Sequence, residues 1–154
     1  MEVQHGVQEA EAAAPPAALR DQVRALAQAM RAVPGAITDA SHLTSHHFCA
    51  GLYGRELFIP AGMAVVGKVH AAENMFLLLR GRLQIATEAG PVEIAAPWLS
   101  ITQPGQQRAV FALEDSVCMN IHANPDDERD LAVLESRYII PEALPAPDTQ
   151  ERLT

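Results

Sequence analysis

The sequence lacks several features that mark common classes of protein. Among its 154 residues, no apolar run approaches the roughly 18 residues that a membrane-spanning helix needs. Its two cysteines, Cys49 and Cys118, are far apart and form no C-x-x-C pair, so we expect two buried thiols in a reducing compartment. Aromatic residues make up only 5% of the chain, so a core must consist mainly of Leu, Ile and Val.

Basic residues are also in the minority. Nineteen Asp and Glu stand against eleven Lys and Arg, which gives a formal charge of −8. An acidic surface repels phosphate backbones, so we expect no nucleic-acid partner. Residues 1–5 lack the basic and apolar segments of a signal peptide. These absences predict a protein without membrane attachment, located in the bacterial cytoplasm or in a virion.

Short segments bounded by glycine and proline fill the middle of the chain. About eight of them follow one another at close, even spacing, which is typical of an all-β sandwich or barrel. Before them, one apolar stripe at helical spacing predicts an amphipathic helix over residues 17–31. After them, a short helix is predicted from residue 125. We therefore divide the chain into an N-terminal arm and helix (1–44), a β-barrel (45–124) and a C-terminal helix and tail (125–154).

The stretch from Gly62 to Gly81 has an informative spacing. It resembles the first signature of the cupin superfamily, G-x5-H-x-H-x3-E-x6-G, with every interval kept. Both glycines and the second histidine, His70, match, but Lys68 replaces the first histidine and Asn74 replaces the glutamate. The resemblance implies a cupin-type jelly-roll barrel of about eight short antiparallel strands. It also implies the frame of a metal site from which most ligands are missing.

A weaker match follows at Gly105. The family's second signature, G-x5-P-x-G-x2-H-x3-N, aligns with Gly105 as its second glycine and places Arg108 at the third histidine. The proline lies one place late, at Pro104. Of the four usual metal ligands, only His70 is kept. The resemblance covers residues 52–122.

The replaced ligand positions predict a cationic pocket. Lys68 and His70 are two residues apart on one predicted strand, so both side chains point to the same face, which in a cupin is the barrel interior. Arg108 on that interior would add a fixed charge, and these cations would repel a metal ion and attract a carboxylate or phosphate. The candidate pocket residues are Lys68, His70, Asn74 and Arg108. The alternative is a structural ion pair that holds Lys68 or Arg108, with Glu56, Glu73 and Glu114 as the candidate acids.

A divalent metal ion is the alternative cofactor. His70 and Glu73 lie three residues apart near a strand end, and His122 closes the last predicted strand. Two imidazoles and a carboxylate make a three-ligand set with an open coordination position. A metal held there would support an enzyme of the dioxygenase, isomerase or epimerase type that acts on a small polar molecule. If the apolar residues of the last strand face the core, His122 points away from the site.

Other conspicuous residues are interpreted as structural. Adjacent His46 and His47 point to opposite faces of a strand and cannot bind one metal ion there. Arg55 and Glu56 are interpreted as a solvated pair at a strand edge. Trp98 is interpreted as a core residue or a subunit contact.

The loss of metal ligands favours a non-enzymatic binding or assembly module. The segment from Pro104 to Asp115 is similar to small cupin-like proteins of tailed bacteriophages and prophages. This resemblance makes a structural component of a phage-like particle a candidate. We expect a homo-oligomer or larger assembly, formed through the N-terminal helix and the tails. The alternatives are the metal-dependent enzyme and a small-anion sensor that uses Lys68, His70 and Arg108.

Overall fold

The computed structural model of the protein describes residues 17–34, 39–87 and 89–141. The expected N-terminal arm and almost all of the expected C-terminal tail lie outside these residues. Within them, helix α1 spans Ala17–Ala32 and helix α2 spans Leu131–Tyr138. Neither of these helices is long and apolar enough to cross a membrane.

The described chain contains eleven β-strands. In chain order they are β1 (Thr44–Cys49), β2 (Gly51–Ile59), β3 (Ala64–Val66), β4 (Val69–His70), β5 (Asn74–Arg80), β6 (Arg82–Thr87), β7 (Gly90–Ala95), β8 (Trp98–Thr102), β9 (Ala109–Ala112), β10 (Ser116–Asn124) and β11 (Ile139–Ile140). A single turn of 3-10 helix, Ser41–Leu43, leads into β1.

The strands form two antiparallel sheets that pack face to face. Sheet A has the strand order β1-β2-β10-β5-β8, and sheet B has the order β3-β9-β6-β7. Strand β4 pairs with β11 in a small separate sheet. From β2 onward the chain passes repeatedly between sheets A and B, which is the arrangement of a jelly roll. The predicted all-β, cupin-type jelly roll with a helix at each end is therefore confirmed.

The apolar core lies between the two sheets. Alternate residues of each strand point inward, because side chains in a strand have a period of two. The buried core residues are Ile59, Phe76, Leu78 and Cys118 from sheet A and Leu83, Ile94 and Ala112 from sheet B. Trp98 packs against this core and meets Phe76 edge-on, with ring centroids 6.1 Å apart.

Helix α1 lies against the barrel on the side of sheet B. Its buried residues are Val23 and Ala27, and its main contacts are with β3 and β9. Leu26, on the same helix, is 42% exposed. The apolar stripe of this helix is thus covered in part by the barrel of its own chain.

Strand β10 turns its polar residues inward. Cys118 joins the core, and the residues that share its face alternate with it along the strand: Ser116, Asn120, His122 and Asn124. The apolar residues Val117, Met119 and Ile121 therefore face outward. Because the apolar residues of β10 face outward, His122 does not point away from the site.

Three elements differ from the sequence-based expectation. Strand β1 was not predicted, because its residues, T-S-H-H-F-C, show no apolar alternation. The single strand predicted to carry Lys68 and His70 is divided, since Gly67 leaves the strand and its backbone N–H donates to the carbonyl of Arg108 at 2.7 Å. The C-terminal helix begins at Leu131 and not at residue 125, because the carboxylate of Asp130 caps it by accepting from the N–H groups of Ala132 and Val133.

The two cysteines differ in exposure. Cys118 is buried, as expected, but Cys49 is exposed.

The two glycines of the cupin signature give a stability prediction. Both have positive φ, +81° at Gly62 and +90° at Gly81, and both would be strained by a side chain. A Cβ at Gly81 would also lie 2.6 Å from the carbonyl oxygen of Asp115 and 2.8 Å from the Cα of Ser116, whereas a Cβ at Gly62 meets nothing within 4 Å. We expect Gly62→Ala to cost about 1 kcal/mol of unfolding free energy and Gly81→Ala about 3 kcal/mol or more, measured by urea denaturation. Equal losses in the two variants would contradict this packing.

Candidate functional site

The inward face of sheet A changes from apolar to polar along its strands. Hydrogen-bonded pairing defines three cross-strand rows on this face. The first row is apolar and contains Leu57, Cys118, Leu78 and Trp98. The second contains Arg55, Asn120, Phe76 and Ser100. The third pairs Tyr53 with His122 and Asn74 with Thr102. We call the region of the second and third rows the polar end of the barrel.

Arg108 reaches from the start of β9 into this polar end. Its guanidinium donates to the hydroxyl oxygens of Thr102, at 2.5 Å, and Ser100, at 2.9 Å. The guanidinium carbon lies 4.4 Å from the centroid of the Phe76 ring. Burial lowers the pKa of Arg108 to about 10, so the group stays protonated at neutral pH. Among the described residues no carboxylate pairs with it, and its charge is therefore only partly compensated.

Arg55 adds a second cation to the same space. It lies opposite Asn120 on the inward face of β2 and is half-buried, and within the described chain it makes no ion pair. Its sequence neighbour Glu56 faces outward and accepts from His47 at 3.0 Å. The interpretation of Arg55 and Glu56 as one solvated pair is therefore wrong, because the two side chains leave opposite faces of the strand.

His70 and His122 bring two imidazoles together at the polar end. Their ring centroids are 5.6 Å apart, and the ring of His122 also stacks on Tyr138 at 4.6 Å. Each histidine has a buried Nδ1 atom without a hydrogen-bond partner among the described residues. An unsatisfied buried polar atom costs about 1–3 kcal/mol, so both rings are suited to a polar ligand atom or an ordered water.

Both imidazoles are neutral at physiological pH. Burial lowers the pKa of His70 from 6.5 to about 3, with smaller contributions from His122, Arg108 and Arg55. Burial likewise lowers the pKa of His122 to about 4, and Arg55 adds to this shift. The positive charge of the polar end at neutral pH therefore comes from Arg55 and Arg108.

The amide of Asn74 occupies the position where the cupin signature has its glutamate. Asn74 is buried, and its side chain accepts from the amide of Asn120 at 2.7 Å and donates to the carbonyl of Ala72 at 3.1 Å. An amide in this place provides hydrogen bonds without a negative charge. The replacement thus leaves the polar end without a carboxylate at this position.

Lys68 lies outside the barrel interior. Because β3 ends at Val66, Lys68 does not share a strand face with His70, and its ammonium pairs with the carboxylate of Glu135 on α2. Its side chain is 45% exposed. Lys68 is therefore held in a structural ion pair, which was the alternative to a place in the pocket. Its partner is Glu135, however, and not one of the candidates Glu56, Glu73 and Glu114. The structure thus brings together His70, Asn74 and Arg108 from the expected pocket, with Arg55 in place of Lys68.

The residues present do not fit a metal ion. Glu73 is exposed, and its carboxylate accepts from the amide of Gln103 at 3.3 Å. Within the described ranges, no group of three or more His, Cys, Asp or Glu residues could hold a metal ion, so the expected set His70, Glu73 and His122 is not assembled. Two fixed guanidinium charges beside the imidazoles would in addition repel a divalent cation.

Comparisons with known proteins find a likeness only among solved structures. No protein-family model and no curated protein matches the chain. A cupin-2 domain protein from Shewanella frigidimarina is 16% identical over 53% of this chain and 79% of that chain, with a TM-score of 0.43. A double-stranded beta-helix protein from Klebsiella pneumoniae is 13% identical over 55% of this chain and 78% of that one, with a TM-score of 0.46. An acetylacetone dioxygenase from Acinetobacter johnsonii is 13% identical over 56% of this chain and 66% of that one, with a TM-score of 0.43.

These likenesses transfer no activity to the chain. The fold stands on the sheet topology described above, and a dioxygenase among the similar structures says nothing about the chemistry of this barrel. None of the three structures is a phage protein, so the resemblance to phage proteins stays a prediction.

The buried imidazoles predict a pH dependence of stability. Because the folded pKa values of His70 and His122 lie below the ordinary value of 6.5, the unfolded chain binds more protons as the pH falls. The free energy of unfolding should therefore decrease from about pH 6.5 to about pH 4. The variant His122→Phe keeps a ring against Tyr138 but has no proton to bind at this position. Between pH 6.5 and pH 4 we expect its free energy of unfolding, measured by urea denaturation, to fall less than that of the wild type. The exposed His42→Gln is the control, and a slope for His122→Phe equal to that of the wild type would contradict the burial of a neutral His122.

Proposed function

We propose that the protein is a non-enzymatic cupin-fold binding module that takes up a small organic anion at the polar end of its barrel. The observation that carries this proposal is the largely desolvated guanidinium of Arg108, which contacts two hydroxyl oxygens and the Phe76 ring but pairs with no carboxylate among the described residues. A desolvated charge without an opposite charge is costly. An anion beside Arg108 would offset that cost, because a carboxylate accepts charge-assisted hydrogen bonds from a guanidinium.

The neighbouring groups suggest what kind of anion fits. Arg55 supplies a second cation, and the Nδ1 atoms of His70 and His122 supply two unused hydrogen-bonding positions. The apolar row that begins at Leu57 closes this space on one side, because its Cys118 and Leu78 belong to the packed core. These features together favour a small molecule that carries one or two carboxylates.

The same groups favour binding over catalysis. The thiol of Cys118 lies in the core, and burial raises its pKa to about 11, which makes it a poor nucleophile. The imidazoles of His70 and His122, with pKa values of about 3 and 4, are weak general bases at neutral pH. The alternative of a metal-dependent enzyme also requires a third ligand that Glu73 does not provide.

A second candidate is a structural role in an assembly. The exposure of Leu26 on α1 leaves part of that helix available for a neighbouring subunit. The resemblance to phage cupin-like proteins makes a phage-like particle the kind of assembly to consider, with the protein in the bacterial cytoplasm or in the virion. Its test is particle incorporation of the wild type against Leu26→Glu. An unchanged amount of incorporated protein would reject α1 as the contact.

Ligand-dependent stability tests the anion proposal. We expect succinate and acetate to raise the unfolding free energy of the wild type, measured by urea denaturation at pH 7, by about 2.7 kcal/mol when the ligand reaches 100 times its Kd. Choline, a cation of similar size, should give no change. Arg108→Met should abolish the effect and Arg55→Met should weaken the affinity at least about tenfold, the size expected for a lost charge-assisted hydrogen bond.

The matched control is Arg82→Met. Arg82 is half-exposed on sheet B and pairs with Glu93 and Glu114, so its loss should leave anion binding unchanged. Without ligand, Arg108→Met should be at least as stable as the wild type, because it removes a buried charge. The proposal fails if none of the anions stabilises the wild type, or if Arg82→Met loses the response as fully as Arg108→Met.

A further inference from the structure

The outer face of sheet A is apolar over β10, β5 and β8, whereas β1 and β2 carry the pair His47 and Glu56 on this face. Two cross-strand rows cross it, one with Ile121, Met75 and Ile101 and the other with Met119, Leu77 and Leu99. We call these six residues the outer patch. Met75 is 47% exposed and Leu99 is 41% exposed, so the patch has accessible apolar surface.

The helices of the described chain lie elsewhere. The main contacts of α1 are with β3 and β9 of sheet B, and those of α2 are with β11. The strands of the outer patch are therefore not among the main contacts of either helix. A contiguous exposed apolar face of this kind marks an interaction site more often than a free surface.

Opposite charges stand at the two ends of the patch along β5. Glu73 precedes the strand and, by alternation with the buried Asn74, faces outward like Met75. Arg80 ends the strand, with its guanidinium carbon 6.0 Å from the ring centroid of the outward-facing Phe58. Neither Glu73 nor Arg80 forms an ion pair within the described residues.

We propose that the outer patch binds the outer patch of a second copy of this chain in a two-fold symmetric dimer. A two-fold axis perpendicular to β5 stacks the two β5 strands in opposite directions. Each Glu73 then lies opposite Arg80 of the partner subunit. An axis parallel to the strand would instead place like charges opposite each other, so the charge pattern selects the first arrangement.

The size of the patch is consistent with a dimer of moderate affinity. Its three strands, β10, β5 and β8, lie about 4.8 Å apart, and about seven residues of about 3.3 Å rise give a flat footprint of about 330 Å². Side chains present more accessible surface than their flat footprint, and a stable interface needs about 800 Å² per partner. We therefore expect the dimer to dissociate at micromolar concentrations rather than to be obligate.

Sedimentation of the full chain over a wide concentration range tests the proposal. The wild type should be a dimer at high concentration and dissociate on dilution. Met75→Asp should shift the equilibrium to monomer by at least about tenfold, because a buried unpaired carboxylate opposes association. The matched control is Val92→Asp, a residue 48% exposed on β7 of sheet B, which should sediment like the wild type.

A charge exchange tests the orientation and remains informative if Met75→Asp fails to fold. Glu73→Arg and Arg80→Glu should each weaken the dimer, and the double variant should restore it, because the opposed charges are complementary again. A wild type that stays monomeric at all concentrations overturns the proposal. So does a Met75→Asp variant that dimerises with wild-type affinity, since the interface then lies on another surface such as α1.

Discussion

The largely desolvated guanidinium of Arg108 sets the electrostatic character of the barrel. It is held by the hydroxyls of Ser100 and Thr102 and by the face of Phe76, and no described carboxylate balances it. Further positive charge nearby is therefore unfavourable: burial keeps the imidazoles of His70 and His122 neutral, and Arg108 adds to this effect at His70. The same charge opposes a divalent cation. A barrel whose signature resembles that of metal-binding cupins thus has an interior suited to an anion.

The two functions that we propose lie on opposite faces of sheet A. Strand β10 carries Asn120 and His122 on its inner face and Met119 and Ile121 on its outer face. This reverses the usual arrangement, in which an antiparallel sheet keeps apolar residues inside and polar residues outside. The polar residues line a place for a ligand, and the apolar residues form a surface for a second subunit. Both proposals depend in part on the register of this strand.

The sequence predicts the frame of the fold better than the site. The signature glycines Gly62 and Gly81 have positive φ, so their spacing reflects real turns. Arg55 was missed because its strand, L-Y-G-R-E-L-F-I, carries apolar residues on both faces and gives no alternation to assign an inside. The partner of Lys68, Glu135, lies 67 residues away on another element, which local patterns do not reveal. His122 faces inward because Cys118 joins the core, and only the tertiary structure settles that register.

Nuclear magnetic resonance of the imidazole rings would test the central claim most directly. The rings of His70 and His122 lie at the polar end, whereas those of His42 and His47 are exposed and serve as internal references. With succinate added at pH 7, we predict saturable shifts of the His70 and His122 resonances that are absent in Arg108→Met, and little change at the two references. Resonances of His70 and His122 that do not respond, or that respond no more than those of His42 and His47, would contradict an anion site beside Arg108.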